Sequence, residues 1–112
     1  MIPEVHSLFS AQDEGRGETI SPLHEGRQFR LERIVSFGAA SEPDSWYDQP
    51  WPEWVALVRG ASELEFEQGR LSLDAGDYIL IPARLKHRVT YTSIDAVWIA
   101  IHFQEQSGNE SS

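Results

Sequence analysis

From Phe29 onward the chain alternates between apolar and polar residues at a strand period, with no persuasive helical period and no internal repeat. Phe29 to Phe37 predicts a half-buried strand in which Phe29, Leu31, Val35 and Phe37 share one face, with Arg33 intruding. Arg30, Glu32 and Ser36 point the other way. Glu53 to Arg59 is nearly continuous apolar sequence, with Trp54, Ala56 and Val58 on one face and Val55 and Leu57 on the other, as in a strand covered on both sides. Ala61 to Glu67 alternates cleanly, and Gln68-Gly69 supplies a two-residue turn into Arg70 to Leu73, which predicts a hairpin. Tyr78 to Ile81, His87 to Thr92 (His87, Val89 and Tyr91 on one face) and Ala96 to Phe103 (Trp98, Ala100 and His102 on one face) complete the set. Short strands at regular spacing indicate an all-β antiparallel sandwich or barrel.

The flanks read differently. Residues 1–28 lack the apolar density to cover a core and predict an irregular N-terminal arm with at most one short strand. Residues 29–103 form the barrel, and 104–112 are a polar tail expected to be mobile. Gly38 to Pro52, with three prolines and the cluster Trp46, Tyr47, Asp48 and Gln49, suits a loop and short strand near a cavity mouth.

Length and charge narrow the function. A chain of 112 residues fits one domain, and 40% hydrophobic content supports a packed core. With no cysteine, disulfides, thiolate metal sites and thiol nucleophiles are excluded, and the cytoplasm is the default location. No basic start followed by an apolar run marks export, and no stretch is apolar for long enough to enter a membrane. Nine basic against eighteen acidic residues give a net charge of −9, which repels a phosphate backbone and argues against nucleic acid as a partner. A phosphate-binding glycine loop, a Gly-x-Ser-x-Gly elbow and a Cys-His pair are all missing.

One set of spacings carries chemistry: Glu53 with Gly60 seven positions later, then Gly76-Asp77, Pro82 and His87. These residues resemble the cupin superfamily, whose first motif runs His-x-His, three or four residues, Glu, six residues, Gly. Its second runs Gly, five residues, Pro-x-Gly, two residues, His, three residues, Asn. The likeness covers roughly Val35 to Phe103 and implies an antiparallel double-stranded β-helix, or jelly-roll barrel, with Glu53 and His87 projecting into it from different strands. By the same resemblance these two would be metal ligands suited to iron, manganese, nickel, zinc or copper.

The departures bear on function. The first-motif histidines fall on Tyr47 and Gln49 with the three-residue spacing, or on Trp46 and Asp48 with the four-residue one. Arg84 replaces the second motif's glycine, and Tyr91 stands at its asparagine. A Gln49 amide oxygen is a weak ligand and Tyr47 would need strong activation to bind as phenolate, whereas Asp48 is the better donor but points away from both in an extended segment. Both registers remain open, with Gln49 or Asp48 as third ligand.

Around this half-site, Tyr47, Arg84, Tyr91, Trp98 and His102 are the candidate pocket residues; the plain alternative for the aromatic ones and for His102 is packing. Arg84 and Lys86 flank His87, where they could attract an anion. Trp46, Trp51 and Trp54 form a candidate homodimer contact. Two functional classes stay in play. One is a metal-dependent enzyme of oxygenase, isomerase or lyase type, acting on a small polar or anionic molecule. The other is a metal-free binding module in which Glu53, His87 and Tyr91 only supply hydrogen bonds.

Overall fold

A computed structural model describes residues 2–9, 17–42 and 45–104, and every regular element in it is a strand. The strands are β1 (Thr19–Glu25), β2 (Phe29–Val35), β3 (Glu53–Arg59), β4 (Ala61–Phe66), β5 (Gly69–Asp74), β6 (Tyr78–Ile81), β7 (His87–Thr92) and β8 (Val97–Phe103). They make two antiparallel sheets, ordered β1-β2-β8-β3-β6 and β5-β4-β7, which face each other as a jelly-roll barrel. The core lies between them, built from Val55, Leu57, Leu64, Leu73, Ile81, Trp98 and Ala100, with Leu57 and Ala100 wholly buried. No described segment is a helix that could cross a membrane.

Several local features depart from the alternation pattern for identifiable reasons. β2 stops at Val35, because Phe37 (φ 48°) and Gly38 (φ 78°) turn left-handed and break the pleat before the expected Phe37 terminus. The hairpin turn is Glu67-Gln68, one position earlier than expected, since Gly69 already pairs with Phe66. β1 runs for seven residues inside the segment expected to be mostly irregular. Residues 10–16 of that arm and 105–112 of the expected tail lie outside the described residues.

Two positions explain the glycine spacing. Gly60 has φ +86°, and a Cβ there would collide with Ser93 Oγ and lie 2.9 Å from the Ala96 Cα, so the β3–β4 corner accepts only glycine. Arg84, at the second motif's glycine position, also adopts a positive φ of 67°. That conformation costs a non-glycine residue about 1–2 kcal/mol, and the Arg84 N–H donates to the Gln49 carbonyl at 2.8 Å, which holds the turn.

Candidate functional site

The inward face of the five-stranded sheet carries charge. Arg30 on β2, His102 on β8 and Glu53 on β3 are register partners in one row across three neighbouring strands. Glu32, two residues from Arg30, shares this face, and His87 enters from the opposite sheet on β7. The segment before β3 joins them through a bridge in which the Tyr47 N–H donates to the His87 carbonyl at 2.7 Å and the His87 N–H returns to Tyr47 at 3.2 Å. Together these side chains line a cavity of about 230 Å³, with Glu18, Gln49 and Trp98 also in its wall.

Glu53 is the centre of the arrangement. It is 8% exposed, and an isolated buried carboxylate would be costly. Gln49 Nε2 donates to its Oε1 at 3.2 Å. His87 Nε2 stands 3.9 Å from the same oxygen, and His102 Nε2 stands 3.7 Å from Oε2 and 3.4 Å from Glu32 Oε1. Arg30 Nε donates to the other Glu32 oxygen at 2.6 Å. His87 Nδ1 lies 2.9 Å from the Leu85 carbonyl, which can only accept, so this nitrogen carries the proton. In the neutral ring, Nε2 is then an acceptor turned toward an acceptor carboxylate, at a distance too long for a hydrogen bond.

Titration follows from this crowding. The Glu18 carboxyl is pushed above its usual value, first by burial and then by the Glu53 and Glu32 carboxylates. The Tyr47 phenol is pushed up as well, chiefly by burial, with Glu18 and Glu53 adding to it against a hydrogen bond from Ser41. Tyr47 therefore stays a neutral hydrogen-bonding group.

The positions singled out in the sequence separate into two sets. Glu53, His87, Gln49, Tyr47, Trp98 and His102 all line the cavity. Trp98 is held in the wall by donation from Nε1 to Ser36 Oγ at 3.1 Å. Asp48 stands outside, exposed, and meets Arg84 at 3.4 Å, so of the two registers only Tyr47 and Gln49 face inward. Arg84 is spent on that rim pair, and Lys86 is exposed beside it.

Tyr91 does not share the face of His87 and Val89. Glu63 pairs with Tyr91 while Leu64 pairs with Val89, so Thr90 is an extra residue in β7, and this bulge turns Tyr91 outward to 51% exposure. Glu18, Arg30 and Glu32 were missed. Their only signal was the strand period of β2, which fixes that Arg30 and Glu32 share a side but not that the side faces in.

The family resemblance suggests a metal that the arrangement of these residues does not fit. Among the described residues no group of three or more His, Cys, Asp or Glu side chains is arranged to hold an ion. His87 Nε2 stands near one oxygen of Glu53 and His102 Nε2 near the other, and the Gln49 amide nitrogen donates to the first. As arranged, the donors do not enclose a metal.

No family model matches this chain, and no curated protein does. Among solved structures it is similar to a protein of Ralstonia eutropha JMP134 provisionally described as a mannose-6-phosphate isomerase, at 35% identity and a TM-score of 0.85, over 92% of this chain and 100% of that one. It also resembles a cupin superfamily protein of Desulfitobacterium hafniense DCB-2 (12% identity, TM-score 0.76, 93% and 95% of the two chains). A further likeness is to an RmlC-like cupin of Shewanella frigidimarina NCIMB 400 (16%, 0.69, 86% and 84%).

Proposed function

This chain belongs to the cupin superfamily, and we propose that its barrel cavity binds a small, neutral or cationic molecule rich in hydrogen-bond donors, with Glu53 as the recognition centre. The observation that carries this reading is the juxtaposition of His87 Nε2 and Glu53 Oε1 at 3.9 Å, which are facing acceptors whenever the ring is neutral. A hydroxyl-rich or amino group donating to both would relieve that juxtaposition. The cavity charge points the same way: among the described lining residues, Glu18, Glu32 and Glu53 outnumber the single arginine, Arg30, whose Nε donates to Glu32. An anion such as a sugar phosphate would meet repulsion there, and Arg84, which suggested an anionic ligand, is paired with Asp48 at the rim.

A second reading, a metal-dependent enzyme of oxygenase, isomerase or lyase type, is favoured by the His87 tautomer. An Nδ1–H fixed by a backbone carbonyl leaves Nε2 in the form a metal ligand requires. To hold a divalent transition metal, Glu53 and His87 would have to turn toward a common point, since as arranged the donors do not enclose one.

Thermal shift with mannose, mannosamine and mannose 6-phosphate tests the first reading. Mannose or mannosamine should raise the melting temperature of the parent, and Glu53→Gln should weaken that binding about tenfold or more, the effect of losing a charged hydrogen bond. Stabilisation by the phosphate alone would overturn it. Elemental analysis of untagged protein addresses the second: near-stoichiometric metal that is lost in both Glu53→Ala and His87→Ala would make it the better account.

A further inference from the structure

We propose that the barrel cavity selects a hydroxylated primary amine, bound as its ammonium ion, over the corresponding neutral polyol, and that Glu18 makes this choice. The inference rests on the reading of the cavity as a site for hydrogen-bond donors centred on Glu53. It gives a separate task to a carboxylate that the Glu53 cluster leaves without a partner.

Glu18 stands one residue before β1 and two before Ile20, so in extended chain the two share a side. Ile20 pairs with Ile34 of β2, and all three line the cavity. Glu32 and Glu53 are both attended. Arg30 and His102 stand against Glu32, while Gln49, His87 and His102 stand against Glu53. Among the described residues, no hydrogen bond or ion pair reaches the Glu18 carboxylate. Burial first, then Glu53 and Glu32, push its carboxyl up, with no facing cation to pull it down.

An independent feature marks the cavity as built for a ligand. His87 lines it at 5% exposure, and among the described residues its Nε2 makes no hydrogen bond, standing 3.9 Å from Glu53 Oε1. A buried nitrogen of this kind calls for a donor from outside the protein.

The arrangement of charge decides which cation fits. Among the described residues, no three carboxylate or imidazole groups are placed around a point where a metal ion could sit. Negative charge spread around a wall instead matches a molecule whose ammonium and hydroxyl groups are themselves separated. Ile34, Val55, Leu64, Ile81 and Trp98 make the rest of the wall largely apolar, and such a lining strengthens the field of an uncompensated carboxylate. The volume of about 230 Å³ suits a compact molecule such as a single sugar ring, below the roughly 300 Å³ at which pockets for drug-sized ligands begin. The ammonium therefore pairs with Glu18, and the hydroxyls donate to Glu53 and His87 Nε2.

Isothermal titration calorimetry of the full chain with mannosamine and mannose tests this, at a pH where the amine is protonated. The two sugars differ by an ammonium in place of one hydroxyl. The parent should bind mannosamine about fivefold more tightly, the scale of one partly exposed ion pair. Glu18→Gln should bring the ratio of the two affinities close to one, whereas Glu53→Gln should weaken both sugars. Because solvent still reaches Glu18, its substitution should leave the circular dichroism spectrum unchanged. Equal affinities in the parent would overturn the selection of an ammonium and leave the Glu53 reading standing. A preference that survives Glu18→Gln would overturn the role of Glu18. Binding of neither sugar would overturn the Glu53 reading itself, and this inference with it.

Discussion

The two faces of the five-stranded sheet invert the usual arrangement of a small soluble protein. Toward the cavity, β2 turns Arg30 and Glu32; away from the barrel it turns Phe29 and Leu31. β3 and β8 continue the contrast, with Glu53 and His102 inside and Trp54 and Ile101 outside. The lesson is that barrel interiors have two zones. Near Leu57 and Ala100 the sheets close on each other and only apolar side chains fit. Near Glu53 they stand apart around a cavity, where polar groups can satisfy one another.

The largest expected effect separates the closed zone from the outer face. Leu57→Ala should cost about 2–5 kcal/mol at every protein concentration, because it leaves a void in a fully buried site. Leu80→Ala should cost less than about 0.5 kcal/mol, because its side chain is half exposed on the outer face. Urea unfolding at two widely separated concentrations measures both.

An intermediate effect tests the polar zone. His102→Leu removes the imidazole standing between Glu32 and Glu53 and should destabilise by about 1–3 kcal/mol, the range for stripping a buried polar group of its partner. If stability is unchanged, His102 is a passive wall residue and the inner face is less dependent on pairing than its geometry implies.

The smallest effect is pH-dependent. Because the Glu18 carboxyl is raised in the folded protein, it holds its proton more tightly there than in the unfolded chain. Its ionisation therefore penalises folding as pH rises past the usual 4.5, and the penalty is complete above the raised value. Glu18→Gln should gain a few tenths of a kcal/mol at neutral pH, discounted because solvent still reaches this partly buried carboxyl, and nothing at low pH. Urea midpoints at pH 3 and pH 7 check the sign. Glu65 behaves oppositely: hydrogen bonding from Arg88 holds its carboxyl low, so its contribution is present above the usual 4.5 and fades as pH falls through the lowered value.

Much of the fold was legible in the chain. Glu53 to Arg59, Tyr78 to Ile81 and His87 to Thr92 are strands with the bounds that alternation and turn residues indicate. Glu53, His87 and their motif spacing were legible too, since the glycine at position 60 is demanded by local backbone geometry. Tyr91 was misplaced because a bulge depends on how β7 meets β4, which no pattern within β7 records.

What the sequence determined by itself is period: which residues of a strand share a side, where turns break the pleat, and how many carboxylates the chain carries. Only the tertiary structure decided which side is the inside. A strand's period is indifferent to direction, and burial of Arg30, Glu32 and His102 depends on partners brought from β2, β3 and β8. Those partners are remote along the chain and adjacent only once β8 has paired on both of its edges.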